Sequence, residues 1–185
     1  MRRLAMLLTL AMAMPLAAQT TAGVHVAGAR ASSTDEAGTT IAFNRGRGLG
    51  GSIAIGSGVT LELAATWLRY DAKLRADGAS ASAGTLKLIP VTATAQWHVA
   101  NLYLGGGMAY VKASDLSGGD LESLGIGRIA VESKRCWLAN AGVVFRNVVV
   151  DAKYIDYRPE SGPADERVRL NVKPVVLSVG LRFKL

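Results

Sequence analysis

Hydrophobic and polar residues alternate in a series of segments along this chain. In the last segment, VVLSVGLRFKL, every second residue from Val175 to Leu185 is apolar, and most residues between them are small or charged. Alternation with a period of two is typical of a β-strand that has one apolar and one polar face. Eight segments follow this pattern, and they cover approximately residues 23–31, 49–58, 59–70, 84–99, 101–113, 136–145, 147–157 and 167–185.

The connections between these segments alternate in length. Long, polar and Gly-rich connections cover about residues 32–47, 71–84, 114–134 and 157–166, whereas those at about residues 56–58, 99–101 and 145–147 are short. Barrels of the bacterial outer membrane have short periplasmic turns, long external loops and an even number of strands. The sequence therefore predicts an all-β fold, an eight-stranded antiparallel up-and-down transmembrane β-barrel, located in the outer membrane of the cell.

The N-terminal segment differs from the rest of the chain. MRRLAMLLTLAMAMPLAA begins with two arginines, continues with an apolar stretch and ends in small residues, as secretory signal peptides do. We predict that residues 1–18 are removed and that residues 19–185 form a single barrel domain; a buried helix is the alternative for the first segment. Loss of the two arginines lowers the net charge from +7 to about +5. That small excess, without a basic patch interleaved with aromatic residues, argues against nucleic acid as a partner.

Aromatic residues on the apolar faces fall near the ends of the predicted strands. Trp and Tyr are enriched at membrane–water interfaces, where they form girdles around a barrel. The predicted aromatic girdle consists of Trp67, Trp97, Tyr110, Trp137, Phe145, Tyr154 and Phe183. Tyr70 and Tyr157 are expected toward the same rim as Tyr110 and Tyr154. The alternative is that these aromatic residues form the core of a soluble barrel.

Charged residues in the strand interiors alternate with apolar neighbours. A Lys or Arg near the bilayer midplane costs on the order of 2–4 kcal/mol when it faces lipid, so alternation predicts that these charges, including Lys87, point into the lumen. The interior of an eight-stranded barrel is just wide enough for side chains or one small ligand, and opposite charges there are expected to pair. The predicted lumenal charge network consists of Glu62, Asp151, Lys153 and Arg182. Such a network either plugs the barrel or gates a conduit.

Residues for catalysis or metal binding are scarce. The two histidines, His25 and His98, have no carboxylate or cysteine at ligand spacing, and the one cysteine, Cys136, cannot form an internal disulfide. The glycine runs at 48–52 and 105–107 lie within strand patterns, where they indicate close strand packing or a narrow lumen rather than a phosphate site. We therefore expect no catalytic residues, no metal and no cofactor.

Three segments carry a family resemblance. IPVTATAQWHVANLYLGGGMAYVKAS (89–114), NVVVDAKYIDYRP (147–159) and VRLNVKPVVLSVGLRF (168–183) resemble the OmpW family of small outer-membrane barrels. The resemblance covers residues 84–114 and 134–183 well, and it covers the first two strands and the third long loop loosely. One departure is at the C-terminus: the family typically ends on Phe, whereas Lys184 and Leu185 follow Phe183 here.

The alternation breaks near Pro174. Val172 belongs to one apolar phase and Val175 begins the other, which predicts a bulge at Lys173–Pro174, because a one-residue slip swaps the faces and Pro cannot donate to the ladder. Pro90 is expected to act in the same way in the fourth strand. The resemblance implies an apolar lumen that opens sideways into the membrane, and the candidate residues for this lateral opening are Leu88, Pro90, Pro174 and Val176.

The resemblance also implies a function without catalysis. It implies passive passage of small hydrophobic molecules across the outer membrane, or a structural role in the envelope. The implied partners are outer-membrane lipid, small hydrophobic molecules and the outer-membrane assembly machinery; no oligomeric state is predicted. One alternative is a soluble periplasmic lipocalin-like barrel, which requires an apolar interior and a polar exterior. Another is a barrel enzyme acting on lipid, which requires a nucleophile or an acid–base set at the rim.

Overall fold

Eight long strands account for most of the residues that the computed structural model describes, which are 19–31, 40–76, 79–117, 120, 128–161, 168–169 and 172–185. The strands are β1 (Gln19–Arg30), β2 (Gly46–Gly56), β3 (Val59–Ala76), β4 (Ala79–Val99), β5 (Leu102–Ala113), β6 (Lys134–Phe145), β7 (Val148–Ile155) and β8 (Val175–Lys184). The predicted signal peptide lies outside the described residues. Within them, no helix is long and apolar enough to cross a membrane.

The eight strands close into a ring. Each strand pairs antiparallel with the next one along the chain. The ring closes where β8 pairs with β1, from Thr21 opposite Lys184 to Arg30 opposite Val175. This is an eight-stranded up-and-down barrel, and it confirms the fold class that the sequence predicts.

The outer surface of the ring is apolar. Large hydrophobic side chains are exposed at alternate positions on every strand, and Leu63 and Leu104 are 64% and 65% exposed. The residues between them face inward, and polar ones such as Glu62, Thr94 and Asp151 are buried. An apolar exterior is the opposite of what a soluble lipocalin-like barrel requires, and it is the surface expected of a barrel wall in contact with lipid.

Short turns join the strands at one end of the barrel, which we call the short-turn rim. Residues 57–58, 100–101 and 146–147 connect β2 to β3, β4 to β5 and β6 to β7, as the sequence predicts. Ala100 and Arg146 have φ angles of 53° and 55°, because a tight two-residue hairpin turn that matches the twist of the strands needs a left-handed residue. The opposite end of the barrel is the long-loop rim.

The strands extend further toward the long-loop rim than the sequence pattern predicts. Most of the predicted loop at 71–84 is paired strand, because β3 continues to Ala76 and β4 begins at Ala79, with a register shift between Ala72 and Lys73. Residues 40–43 form a further short strand against β3, and residues 116–117 pair with 128–129. The sequence at 71–84 is rich in small and charged residues, so backbone pairing there leaves no hydrophobic alternation to detect.

The segment before β8 also differs from the prediction. Residues 168–169 form a separate short pair with residues 160–161, and β8 begins only at Val175. Val172, Pro174 and Val176 are all buried, so the inward phase continues through Pro174 without the predicted bulge. Pro174 has no N–H to donate, but its carbonyl accepts a hydrogen bond from the Ile155 N–H at 3.0 Å.

Candidate functional site

The four residues of the predicted lumenal charge network lie together inside the barrel. Glu62 of β3 accepts hydrogen bonds from both cations: Lys153 Nζ lies 2.9 Å from its Oε1, and Arg182 Nη2 lies 2.7 Å from its Oε2. Lys153 Nζ also lies 3.5 Å from Oδ2 of Asp151. Because β3 and β7 are four strands apart in a ring of eight, the Lys153–Glu62 pair spans the lumen from wall to wall.

Neutral polar groups surround these charges. The Tyr103 hydroxyl donates to Oδ1 of Asp151 at 2.7 Å, and the Asn140 amide donates to the same oxygen at 3.4 Å. Nearer the short-turn rim, the Thr60 hydroxyl lies 2.9 Å from His98 Nε2 and 3.3 Å from Gln96 Oε1. Buried charges are tolerated when they are paired and hydrogen-bonded. The network meets that condition, and together with these neutral groups it forms one polar layer across the barrel.

Little free space remains in this polar layer. A cavity of about 30 Å³ lies beside Glu62, Asp151 and Arg182, which is room for about one water molecule. Glycines on β5 make the packing possible: a Cβ on Gly105 would collide with Asn140, and one on Gly107 would collide with the Ala93 carbonyl. The glycine run 105–107 thus serves close packing, and the Glu62–Lys153 ion pair crosses the barrel interior at this level.

The lumen is apolar between the polar layer and the long-loop rim. Its buried side chains form one cluster that includes Leu68, Tyr70, Leu88, Val111 and Tyr157. The Tyr157 hydroxyl donates to the Glu132 carbonyl at this rim. Burial raises the pKa of Tyr157 well above its ordinary value, so this hydroxyl stays protonated and keeps donating. Both Tyr70 and Tyr157 therefore reach the predicted rim but point into the lumen rather than into a girdle.

The predicted girdle residues all point outward. Each is between 40% and 70% exposed, and the set is Trp67, Trp97, Tyr110, Trp137, Phe145, Tyr154 and Phe183. Trp97, Phe145 and Phe183 lie near the short-turn rim. The other four lie toward the long-loop rim. The apolar outer surface thus has aromatic side chains at both ends, as the bands that face lipid in transmembrane barrels do.

The four candidates for a lateral opening lie on opposite walls. Leu88 and Pro90 are on β4, whereas Pro174 and Val176 are at the start of β8, four strands away. Val176 is paired on both sides, with Ala29 and Lys153, so the wall is continuous there. The four residues therefore do not form one opening.

The ladder between β3 and β4 is interrupted beside Pro90. Leu68 pairs with Leu88 and Ala65 with Val91, but the two positions between these pairs are not matched across the strands. Pro90 supplies no N–H at this place, which accounts for the interruption. We call the unmatched stretch of Thr66 and Trp67 against Ile89 and Pro90 the β3–β4 gap. It adjoins the apolar half of the lumen, since Leu68 and Leu88 belong to the apolar cluster.

One charge does not lie where alternation placed it. Lys87, predicted in the lumen, is exposed on the outer face, because Leu86 and Leu88 on either side of it face inward in the apolar half. Tyr103, Gln96 and Asn140 are part of the polar layer but were not singled out in the sequence. Tyr103 lies on the same face of β5 as Gly105 and Gly107, opposite the face of Leu102 and Leu104. This alternation in the sequence indicates that Tyr103 points inward.

The remaining candidate groups, the two histidines and the cysteine, each contact another residue of the barrel. His25 Nε2 lies 2.9 Å from the Thr66 hydroxyl, and the His98 ring lies 5.3 Å from that of Tyr103. Cys136 is buried and its thiol lies 3.7 Å from the Ala109 carbonyl. In the part of the chain that the structure describes, no cluster of three or more His, Cys, Asp or Glu side chains could hold a metal ion.

Comparison with known proteins places this fold. No protein-family profile and no curated protein matches the chain. The outer membrane protein OprG from Pseudomonas aeruginosa matches with a TM-score of 0.69 and 15% identity, over 91% of this chain and 96% of OprG. Ail of Yersinia pestis has a TM-score of 0.49, 16% identity and coverage of 89% and 99%. Neisserial surface protein A has a TM-score of 0.46, 20% identity and coverage of 89% and 97%.

The likeness to OprG is one of fold, and at this level of identity it shows no more than fold. Together with the apolar outer surface and the two aromatic bands, it defines the class of the protein. The chain has the fold of a small outer-membrane β-barrel. Its interior is divided into a charged layer near the short-turn rim and an apolar half near the long-loop rim.

Proposed function

We propose that this protein is a non-enzymatic outer-membrane barrel that lets small hydrophobic molecules pass from outside into the membrane through the barrel wall. Its partners in this role are outer-membrane lipid, the small hydrophobic molecules themselves and the machinery that assembles barrels. The observation that carries the proposal is the division of the lumen. The apolar half adjoins the long-loop rim, and the charged layer closes the lumen beyond it.

The charged layer argues against a straight path along the axis. A hydrophobic molecule moving past Glu62 and Lys153 would have to separate an ion pair of 2.9 Å in a space that holds about one water molecule. Separating buried partners costs about 3–5 kcal/mol. An apolar molecule cannot recover that cost, because it offers the charges no hydrogen bonds.

The β3–β4 gap supplies a lateral path instead. Two positions of the wall lack ladder pairing there, so strand separation at this point breaks fewer hydrogen bonds than in the continuous part of the same ladder from Val59 to Ala65. The gap connects the apolar cluster inside to the half-exposed Trp67 outside. An apolar molecule leaving by this route meets one polar side chain, Thr66, whose hydroxyl already has a hydrogen-bond partner in His25.

Cross-linking the gap tests this route. In a Cys136→Ala background, cysteines at Trp67 and Ile89 would form a disulfide across the gap on the lipid-facing side. Cells that produce this variant should take up the apolar dye N-phenylnaphthylamine no faster than cells without the protein when the disulfide is formed. Reduction should restore the uptake of the Cys136→Ala parent.

The matched control is the pair Leu63→Cys with Ala93→Cys. These residues face each other in an intact part of the same ladder, so their disulfide should leave dye uptake unchanged. Uptake that continues at the parent rate with the gap locked would overturn the lateral route. A parent protein that does not accelerate uptake at all would favour a structural role in the envelope.

A further inference from the structure

Cationic side chains occupy outward positions near the long-loop rim. Arg47, Arg69 and Lys87 stand directly opposite one another on β2, β3 and β4, and all three are exposed. Within the described part of the chain, none of the three forms an ion pair. We call this set the cationic row.

The cationic row needs an external anion. Like charges directly opposite each other across a strand pair are destabilising, and the row places three in succession. It lies one outward position beyond Trp67, about 7 Å along the strand. Since Trp marks the membrane–water interface, the row stands at the level of the lipid headgroups. The anion that is abundant at that level is the phosphate of a lipid.

A groove beside the row has the shape and chemistry of such a lipid. It measures about 960 Å³ and is lined by Gly28, Arg30, Arg45, Arg47, Val175 and Leu177, with Asp71 as its carboxylate. Gly28 makes it deep: this residue lies between Leu177 and Arg47 on the neighbouring strands, and a Cβ there would meet open space. The groove is thus apolar on the β8 side and cationic toward the rim.

We propose that this groove binds one phosphate-bearing membrane lipid. An acyl chain lies on Val175 and Leu177 over Gly28, and the phosphate contacts the guanidinium groups of Arg30, Arg45 and Arg47. The planar guanidinium group suits this role because it presents paired donors to phosphate oxygens. The rest of the cationic row, Arg69 and Lys87, extends the contact to neighbouring headgroups.

Native mass spectrometry of the full-length protein in a neutral detergent tests the site. The probes are short-chain phosphatidic acid, phosphatidylcholine of the same chain length and inorganic phosphate. We expect phosphatidic acid to bind at least about tenfold tighter than phosphatidylcholine, and excess inorganic phosphate not to displace it. The double variant Arg45→Gln, Arg47→Gln should lose this preference.

Two further variants separate the effect of the groove's shape on lipid binding from the effect of its charge. Gly28→Phe fills the groove and should weaken binding of both lipids, although every arginine remains. Arg146→Gln removes an exposed cation at the short-turn rim and should leave binding unchanged. Equal loss in Arg146→Gln and in the double variant would overturn the proposal, and displacement by inorganic phosphate would show a free-anion site instead. Neither result bears on the β3–β4 gap, because none of the substituted residues lies in that gap.

Discussion

At the scale of single residues, Glu62 makes the central contacts of the lumenal charge network. It is 4% exposed and holds Lys153 and Arg182 on its two oxygens. With Asp151, the four charges of the network sum to zero. An interior with balanced charge can be closed without a counter-ion, which explains why the polar layer packs with almost no free volume.

Glu62→Gln should destabilise the barrel more than any other neutral substitution in the network. It leaves Lys153 and Arg182 with an excess positive charge, and breaking buried pairs costs about 3–5 kcal/mol. Asp151→Asn should cost less, because only one longer contact of 3.5 Å to Lys153 is an ion pair. The measurement is the free energy of unfolding in urea, in lipid vesicles.

Asp115→Asn is the control for these two variants. Asp115 is exposed, and surface substitutions usually change stability by less than about 0.5 kcal/mol. If all three variants unfold at the same urea concentration, the network contributes nothing to stability.

The sequence predicts which residues face the lumen but not which of them meet. Alternation alone places Glu62, Asp151, Lys153 and Arg182 on the inner face. Glu62 and Lys153 are distant in sequence and come from opposite walls, so their contact depends on the register of every strand between them. Lys87 is an exception to the rule that charged residues in the strands face the lumen. In the apolar half of the barrel, the residues that face inward are apolar, and the charged residues that alternate with them point outward.

At the scale of elements, the ladders differ in continuity. The β1–β8 ladder is continuous over its length, whereas the β3–β4 ladder has the gap beside Pro90. Hairpin order and the three short turns are predictable from the sequence. The extended hairpin of β3 and β4 is not, because residues 79–82, which are Ala and Ser, pair through their backbones without an apolar face.

Pro90→Thr should close the β3–β4 gap by restoring a backbone donor. One added hydrogen bond contributes about 1 kcal/mol, so amide hydrogen exchange at Thr66, which lies opposite residue 90 and faces it across this ladder, should slow by about fivefold. The amide of Glu62, which faces β4 in a paired position of the same ladder, should keep its exchange rate. Unchanged exchange at Thr66 would mean that Pro90 does not cause the interruption.

At the scale of the whole molecule, the barrel has a lipid-facing band between two sets of aromatic residues. Val59 lies opposite Trp97, so it marks the level of the aromatic residues near the short-turn rim. Leu63 lies midway along β3 between Val59 and Trp67. At about 3.4 Å per residue and a tilt near 40°, the eight steps from Val59 to Trp67 rise roughly 21 Å, close to the apolar band of about 25 Å in outer-membrane barrels.

Leu63→Arg should therefore destabilise the barrel in a bilayer by about 2–4 kcal/mol, since it places a charge near the midplane on the lipid side. Asn101→Arg, in an exposed short turn, should change the free energy of unfolding by less than about 0.5 kcal/mol. In a soluble barrel the 64% exposed Leu63 would accept arginine at little cost, so a small effect would speak against membrane insertion.

The closing seam has a consequence for how this barrel reaches the membrane. Seven of the eight strand pairs join neighbours in the chain, but the eighth joins Val24 to Leu181, near the two ends of the described chain. Until those strands meet, the sheet has two open edges whose N–H and C=O groups lack partners, and each such group is costly in hydrocarbon. A sheet that has not yet closed is therefore unstable in the bilayer. Closure of the ring and entry into the membrane have to be one concerted event.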